Sequence, residues 1–108
     1  MNSGTKPYSA QVGGTKAEVH GKAATIYGIA LLNETAAVAY LQLFKRASAD
    51  VTVGTTAPDL SLGLPANGGL TLSFPRGFIL GGEGLTVAGT TTRAGSTGAN
   101  ISVNIIYG

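Results

Sequence analysis

The chain has 108 residues, enough for one domain but too few for two domains with separate cores. Glycine, alanine, threonine and serine make up nearly half of it, and charged residues are only 11%, well under the roughly 25% of an ordinary soluble domain. The absence of Cys excludes a disulfide scaffold, a Cys-ligated metal site and a Cys nucleophile, and the net charge of +2 gives little support to a basic surface.

The first 22 residues differ in composition from the rest of the chain. They hold three of the four lysines and few large apolar side chains. This composition predicts an N-terminal arm over residues 1–22, followed by a single domain over residues 23–108. Two interpretations of the arm stay open: a mobile terminal segment, or a segment that becomes ordered on a neighbouring subunit. Val12 and Val19, each flanked by polar residues, also allow two short edge strands.

Two structures compete for residues 23–46. Their alanines and leucines favour a helix from about Glu34 to Arg46, with a cap at Asn33 or Thr35. The Ile and Tyr content of the first part and the alternation in VAYLQLFKR favour two long strands instead. We expect the two strands, joined by a hairpin loop at Asn33–Ala37.

Three segments in the second half of the chain alternate between apolar and polar side chains. They are Asp59–Leu64 (DLSLGL), Leu70–Phe74 (LTLSF) and Asn100–Tyr107 (NISVNIIY). A period of two is typical of half-buried strands. The dipeptide Asn67-Gly68 between the first two segments predicts a tight hairpin turn.

Two further segments carry a weaker strand pattern. Gly84–Thr92 places Leu85 and Val87 on one face, and Val51–Thr56 reads as a short strand. Short strands separated by turn residues about every 8–12 positions predict an all-β fold, an antiparallel β-sandwich (jelly-roll-like) with short strands and Gly-rich hairpins. The expected core comprises Ile29, Leu31, Leu41, Leu43, Leu60, Leu62, Leu70, Leu72, Phe74, Leu85, Val87, Val103 and Ile105.

The side chains that most enzymes need are scarce. His20 is the only histidine, so two histidines cannot share a metal ion, and the five carboxylates are scattered along the chain. Glu18 and His20 would share a strand face, one group short of a Ser-His-acid arrangement. A phosphate-binding G-x-x-x-x-G-K-[ST] loop and a hydrolase G-x-S-x-G elbow are both missing. We therefore expect no enzyme, and no catalytic, cofactor-binding or metal-binding residue.

Membrane and nucleic-acid partners are not expected either. The sequence has no run of about 18 apolar residues and no apolar signal-peptide core at its start. Lys45 and Arg46 are the only adjacent cations. Small uncharged side chains instead lose little conformational entropy and little hydration when they are buried. Such a surface suits close packing against other copies of the chain or against a larger protein.

Residues 23–108 resemble a family of small β-sandwich virion proteins of tailed bacteriophages and prophages. The most similar parts are YGIALLNETAAVAYLQLFKRASA, VTVGTTAPDL, LPANGGLTLSFPRGF and the terminal VNIIY, and the likeness covers about four-fifths of the chain. These motifs are structural and carry no chemistry. The chain departs from the family's pattern at GGEGLTVAG, which is rich in glycine and carries the isolated Glu83.

The resemblance implies a non-enzymatic structural protein of the virion, made in the cytoplasm of the bacterial host. Its first implication is a capsid decoration or cementing protein that binds and stabilises the phage head. The implied partners are the major capsid protein or other virion proteins and further copies of the chain, as a trimer or dimer. A neck, tail or fibre component is the alternative, and a carbohydrate-binding module is a further one that the lack of Trp disfavours.

Aromatic and arginine side chains dominate the binding energy of protein interfaces. On that ground the expected interface residues are Tyr8, Arg76, Phe78 and Arg93. The competing interpretation for each of the four is ordinary packing or solvation.

Overall fold

A computed structural model describes residues 5–79 and 83–108 of the protein. This part of the chain forms eight β-strands and one short 3-10 helix, and it contains no helix long and apolar enough to cross a membrane. The strands are β1 (Lys6–Val12), β2 (Ala17–His20), β3 (Thr25–Asn33), β4 (Ala39–Phe44), β5 (Leu60–Leu64), β6 (Gly69–Ile79), β7 (Leu85–Thr90) and β8 (Ile101–Tyr107), with the 3-10 helix at Ser48–Asp50.

The strands form two antiparallel four-stranded sheets. Sheet I has the order β1-β8-β3-β6, and sheet II has the order β2-β7-β4-β5. Apolar side chains from one face of each sheet meet in a shared core. The expected all-β sandwich is therefore confirmed.

The pairing of strands follows a jelly-roll winding. Each strand of the first half pairs with its mirror partner in the second half: β1 with β8, β2 with β7, β3 with β6 and β4 with β5. The chain thus forms one long antiparallel ribbon that bends at residues 45–59 and rolls up, so that successive pairs fall alternately in the two sheets. Because of this winding, only the β4–β5 connection stays within one sheet.

Two expected hairpins are corrected by this topology. The strands on either side of Asn33–Ala37 form as expected, as do those on either side of Asn67-Gly68, but each pair belongs to different sheets. Both turns cross from one sheet to the other, side by side. The buried Asn33 ties them together, since its Nδ2 donates to Ala37 O at 2.8 Å and to Pro65 O at 2.9 Å.

The N-terminal segment follows one alternative that the sequence left open, whereas residues 51–56 differ from expectation. Among residues 5–22, β1 pairs with β8 and β2 pairs with β7 as edge strands of the sandwich, with Val12 and Val19 buried in the core. Residues 1–4 of the expected arm lie outside the described residues. Residues 51–56 are not a strand: they follow the 3-10 helix as turns, with Gly54 at a φ of +91°.

The expected core is confirmed. All thirteen expected side chains belong to the main core cluster, eight of them buried and five partly buried at the β5 and β6 edges. Eight further residues are buried there: Val12, Val19, Ala24, Ile26, Ala39, Leu64, Ala99 and Ile101. A second, smaller cluster of Phe44, Val51 and Ala88 lies on the opposite side of sheet II, and Val53 packs against it.

Candidate interaction face

Most of the outer face of sheet II is buried by the protein itself. The outward side chains on the two central strands alternate with core residues; Tyr40 is partly exposed, and the other five have 0% exposure. They are Gln42, Phe44, Thr86, Ala88 and Thr90. We call this surface the covered face, because two loops, residues 45–59 and 91–98, fold across it.

Two charged residues hold the first loop against the sheet: Lys16, just before the edge strand β2, and Glu18, within it. Lys16 Nζ donates to Ser48 O at 2.5 Å and to Val51 O at 2.6 Å, and the backbone N–H of Ser48 donates to Glu18 Oε1 at 2.9 Å. Val51 of this loop is buried and packs in one cluster with Phe44 and Ala88. The hydrogen bonds of Lys16 and Glu18 fix the loop at the edge of the sheet, and the apolar packing of Val51 excludes water from its centre.

The second loop rests on a buried amide. Gln42 Nε2 donates to Thr90 Oγ1 at 2.8 Å and to Gly95 O at 3.0 Å, while Thr90 Oγ1 donates to Thr92 O at 2.7 Å. Gln42 Oε1 has no hydrogen-bond partner. The two loops also touch each other, since a Cβ on Gly54 would lie 2.7 Å from Ser96 Cβ.

Within residues 5–79 and 83–108 no loop covers the outer face of sheet I, and we call this surface the open face. Cross-strand pairing places three outward positions from each strand in three rows across the sheet. None of these twelve positions carries a charge, although the chain has twelve charged residues. The positions are Pro7, Ser9 and Gln11 of β1, Ser102, Asn104 and Ile106 of β8, Gly28, Ala30 and Leu32 of β3, and Gly69, Thr71 and Ser73 of β6.

The open face is hollowed near its centre. A depression of about 260 Å³ is lined by Gly28, Ile29, Ala30, Thr71, Leu72, Ser73, Asn104 and Ile106. It arises beside an irregularity in the β3–β6 pairing, where the register advances from Ile26↔Phe78 to Gly28↔Ser73. Small side chains at the outward positions leave this space open.

Two large apolar side chains stand on the same face. Leu32 is 48% exposed and Ile106 is 43% exposed, and Ile106 forms one wall of the depression. Prediction from aromatic and arginine content missed both residues. The signal that could have found them is the doublets Leu31-Leu32 and Ile105-Ile106, because in a strand one member of an apolar doublet must face outward.

The four expected interface residues do not form one patch. Tyr8 lies on β1 and Phe78 on β6, at opposite edges of sheet I, and both pack against the main core. Phe78 also stacks on Phe74, with ring centroids 5.3 Å apart. Arg76 is exposed on β6, and Arg93 is exposed in the second covering loop, where its carbonyl accepts from Ser61 Oγ.

Burial has an electrostatic consequence at Tyr8. Desolvation by the surrounding protein raises the pKa of its phenol above the usual value for tyrosine. No group of three or more His, Asp or Glu side chains stands together as a metal site within residues 5–79 and 83–108. The role of Tyr8, Arg76, Phe78 and Arg93 in an interface stays a prediction.

Comparison with known proteins returns no relative. No protein-family model matches the chain, no curated protein matches it, and no solved structure matches it.

Proposed function

We propose that this chain is a non-enzymatic structural protein of a bacteriophage particle, in the first place a capsid decoration or cementing protein that binds and stabilises the head. The observation that carries the proposal is the open face: twelve outward positions of one sheet without a charged side chain, beside a second sheet whose central outer surface is mostly buried by loops. The resemblance of residues 23–108 to small phage virion proteins supplies the setting. The jelly roll itself does not select this function, because lectins and cupins share it with viral capsid domains.

The proposed mechanism is attachment by shape. Burying the open face removes apolar side chains from water and desolvates no ion, so little electrostatic energy is lost on contact. The partner that faces this surface is a virion protein, either the shell protein or a further copy of the chain.

The test is the stoichiometry of purified particles of the phage that encodes the chain. We expect hundreds of copies per particle, in a fixed ratio to the major capsid protein. A handful of copies would replace the decoration role with the neck, tail or fibre role. Absence of the chain from the particles would overturn the proposal.

A matched pair of variants connects the result to the open face. Ser73→Lys places a charge beside the depression, and Thr92→Lys places the same charge on an exposed position of the second covering loop. Particles produced with either variant are compared with wild type after both proteins are shown to fold. We expect incorporation to fall for Ser73→Lys and to stay unchanged for Thr92→Lys, and equal incorporation of the two would contradict the use of this face.

A further inference from the structure

We propose that the open face binds the open face of a second copy of this chain, so that two sandwiches pack sheet I against sheet I around a two-fold axis. The inference rests on the proposed function, because it names which partner binds the face proposed there. If a second copy occupies the open face, the dimer contacts the shell through its other surfaces.

The first argument is electrostatic. In a two-fold contact each residue near the axis meets its own counterpart, so a charge there would face a like charge. The three rows of outward residues on sheet I contain no ionisable side chain, from Ser9 across Asn104 and Ala30 to Thr71. A partner with a charged surface would instead leave its ions buried and unpaired against this face. An uncharged second copy avoids both costs.

The second argument is shape. A self-complementary surface needs a projection and a hollow side by side, so that each copy supplies both. Ile106 projects from the open face with 43% of its surface exposed, and it borders the depression formed over Gly28 and Ala30. A two-fold axis near Asn104 brings the projection of each copy to the hollow of the other. The remaining outward residues are small, which lets two sheets approach closely.

The third argument comes from the covered face of the same molecule. That face is also uncharged on its central strands, with small side chains such as Thr86 and Ala88 around Phe44, and the protein's own loops bury these residues. The open face repeats this composition, with Thr71 and Ala30 around Ile106, but no loop among residues 5–79 and 83–108 covers it. A surface built like a buried one is suited to burial by a partner.

The area of the face sets the strength of the contact. Four strands about 4.8 Å apart and seven residues long span about 19 by 23 Å, so two flat faces cover about 900 Å² in total. This figure lies below the range of about 1,200–2,000 Å² typical of stable complexes. We therefore expect a reversible dimer that forms and dissociates with protein concentration, in contrast to an obligate one.

The experiment is sedimentation velocity on the isolated protein, from micromolar to millimolar chain concentration. Two variants replace an exposed apolar residue with lysine: Ile106→Lys on the open face, and Val38→Lys in the loop between β3 and β4, where Val38 is 52% exposed. We expect wild type and Val38→Lys to shift from monomer to dimer together, and Ile106→Lys to stay monomeric throughout. Far-UV circular dichroism and thermal melts confirm that each variant is folded.

Crosslinking locates the contact independently. Because the chain has no cysteine, one introduced thiol reports on one position. A short bismaleimide is expected to join two copies of Asn104→Cys, at the centre of the open face, but not two copies of Thr92→Cys, in the second covering loop.

Three results would overturn the inference: a wild-type monomer at every concentration, a dimer that Ile106→Lys leaves intact, or equal loss of the dimer in both lysine variants. These results are separable from the particle test. A chain that is abundant on particles but monomeric in solution keeps the proposed function and loses the dimer. A chain that dimerises through the open face but is absent from particles keeps the dimer and loses the proposed function.

Discussion

The two outer faces of the sandwich carry similar side chains, but one face is covered by loops and the other is exposed. The central strands of sheet II carry Gln42, Thr86 and Ala88 outward at 0% exposure, whereas sheet I carries Asn104, Thr71 and Ala30 outward without a cover. The difference lies in the connections. The bend of the rolled ribbon and the segment after β7 give sheet II two covering loops, and sheet I has none among the described residues. Composition alone therefore does not distinguish a covered sheet surface from an uncovered one, and the difference comes from the loops.

The largest expected difference between the faces is in packing energy. Phe44→Ala should destabilise the protein by about 3–5 kcal/mol, because it empties the cluster beneath the first loop. Ile106→Ala on the open face should cost less than about 1 kcal/mol in the monomer. Urea denaturation at low protein concentration measures both. If Phe44→Ala does not fold, Phe44→Leu still tests the contrast, with an expected loss of about 1 kcal/mol. Similar losses at Phe44 and Ile106 would contradict the comparison.

Strand glycines give the next contrast. A Cβ on Gly89 in β7 would lie 2.4 Å from Ala99 O and 2.9 Å from Val12 O, both of which are backbone atoms. A Cβ on Gly28 in β3 would meet only Leu72 O at 3.7 Å. We expect Gly89→Ala to cost about 3 kcal/mol, and Gly28→Ala to be neutral or stabilising by about 0.5 kcal/mol. Thermal melts of the two variants decide the matter, and a stable Gly89→Ala protein would show that the strands can separate there at little cost.

Two amides extend the comparison to polar groups. Gln42→Ala removes the donor that holds the second covering loop, and the expected loss is about 1–3 kcal/mol. Asn104→Ala removes an exposed acceptor of Ser9 Oγ, and the expected loss is about 0.5 kcal/mol. Hydrogen exchange should also rise at residues 91–98 in Gln42→Ala alone. Unchanged protection of that loop would exclude Gln42 as its anchor.

The smallest expected effect is at alkaline pH. Burial raises the pKa of Tyr8, so the folded state holds this proton more tightly than the unfolded chain does. Stability from the neutral phenol is complete below the unfolded-state pKa and falls as the pH rises from there through the higher folded-state pKa. Tyr8→Phe should therefore lose less stability than wild type as the pH rises above about 10. Equal losses in paired urea titrations would assign the alkaline dependence to other groups.

The sequence predicted the strands well because alternation is a local property. Residues 60–64, 101–107 and the two strands of 23–46 all lie where a period of two places them. Whether neighbouring strands pair or cross is not local, and both predicted hairpins cross between sheets. The alternation Val51-Thr52-Val53 predicted a strand that does not form. Val51 is apolar because it packs on the covered face and not because it faces the core from a strand.

The candidate face could be predicted only in part. Alternation alone assigns Thr71, Ser73, Ser102 and Asn104 to the outside of their strands. It does not show that they share one surface, because β6 and β8 are both neighbours of β3 only in the rolled ribbon. The full burial of Gln42 and Thr90 is likewise a product of distant loops that sequence patterns do not place.

A dilution series followed by amide NMR tests the central claim most directly, because it maps contact on every described strand at once. As the concentration rises, we predict shifts confined to the open face, strongest around Gly28–Ala30, Thr71–Ser73 and Asn104–Ile106. The covered face and the loops above it should not respond. Spectra that do not change up to millimolar concentration, or shifts centred on residues 45–59 and 91–98, would contradict the account.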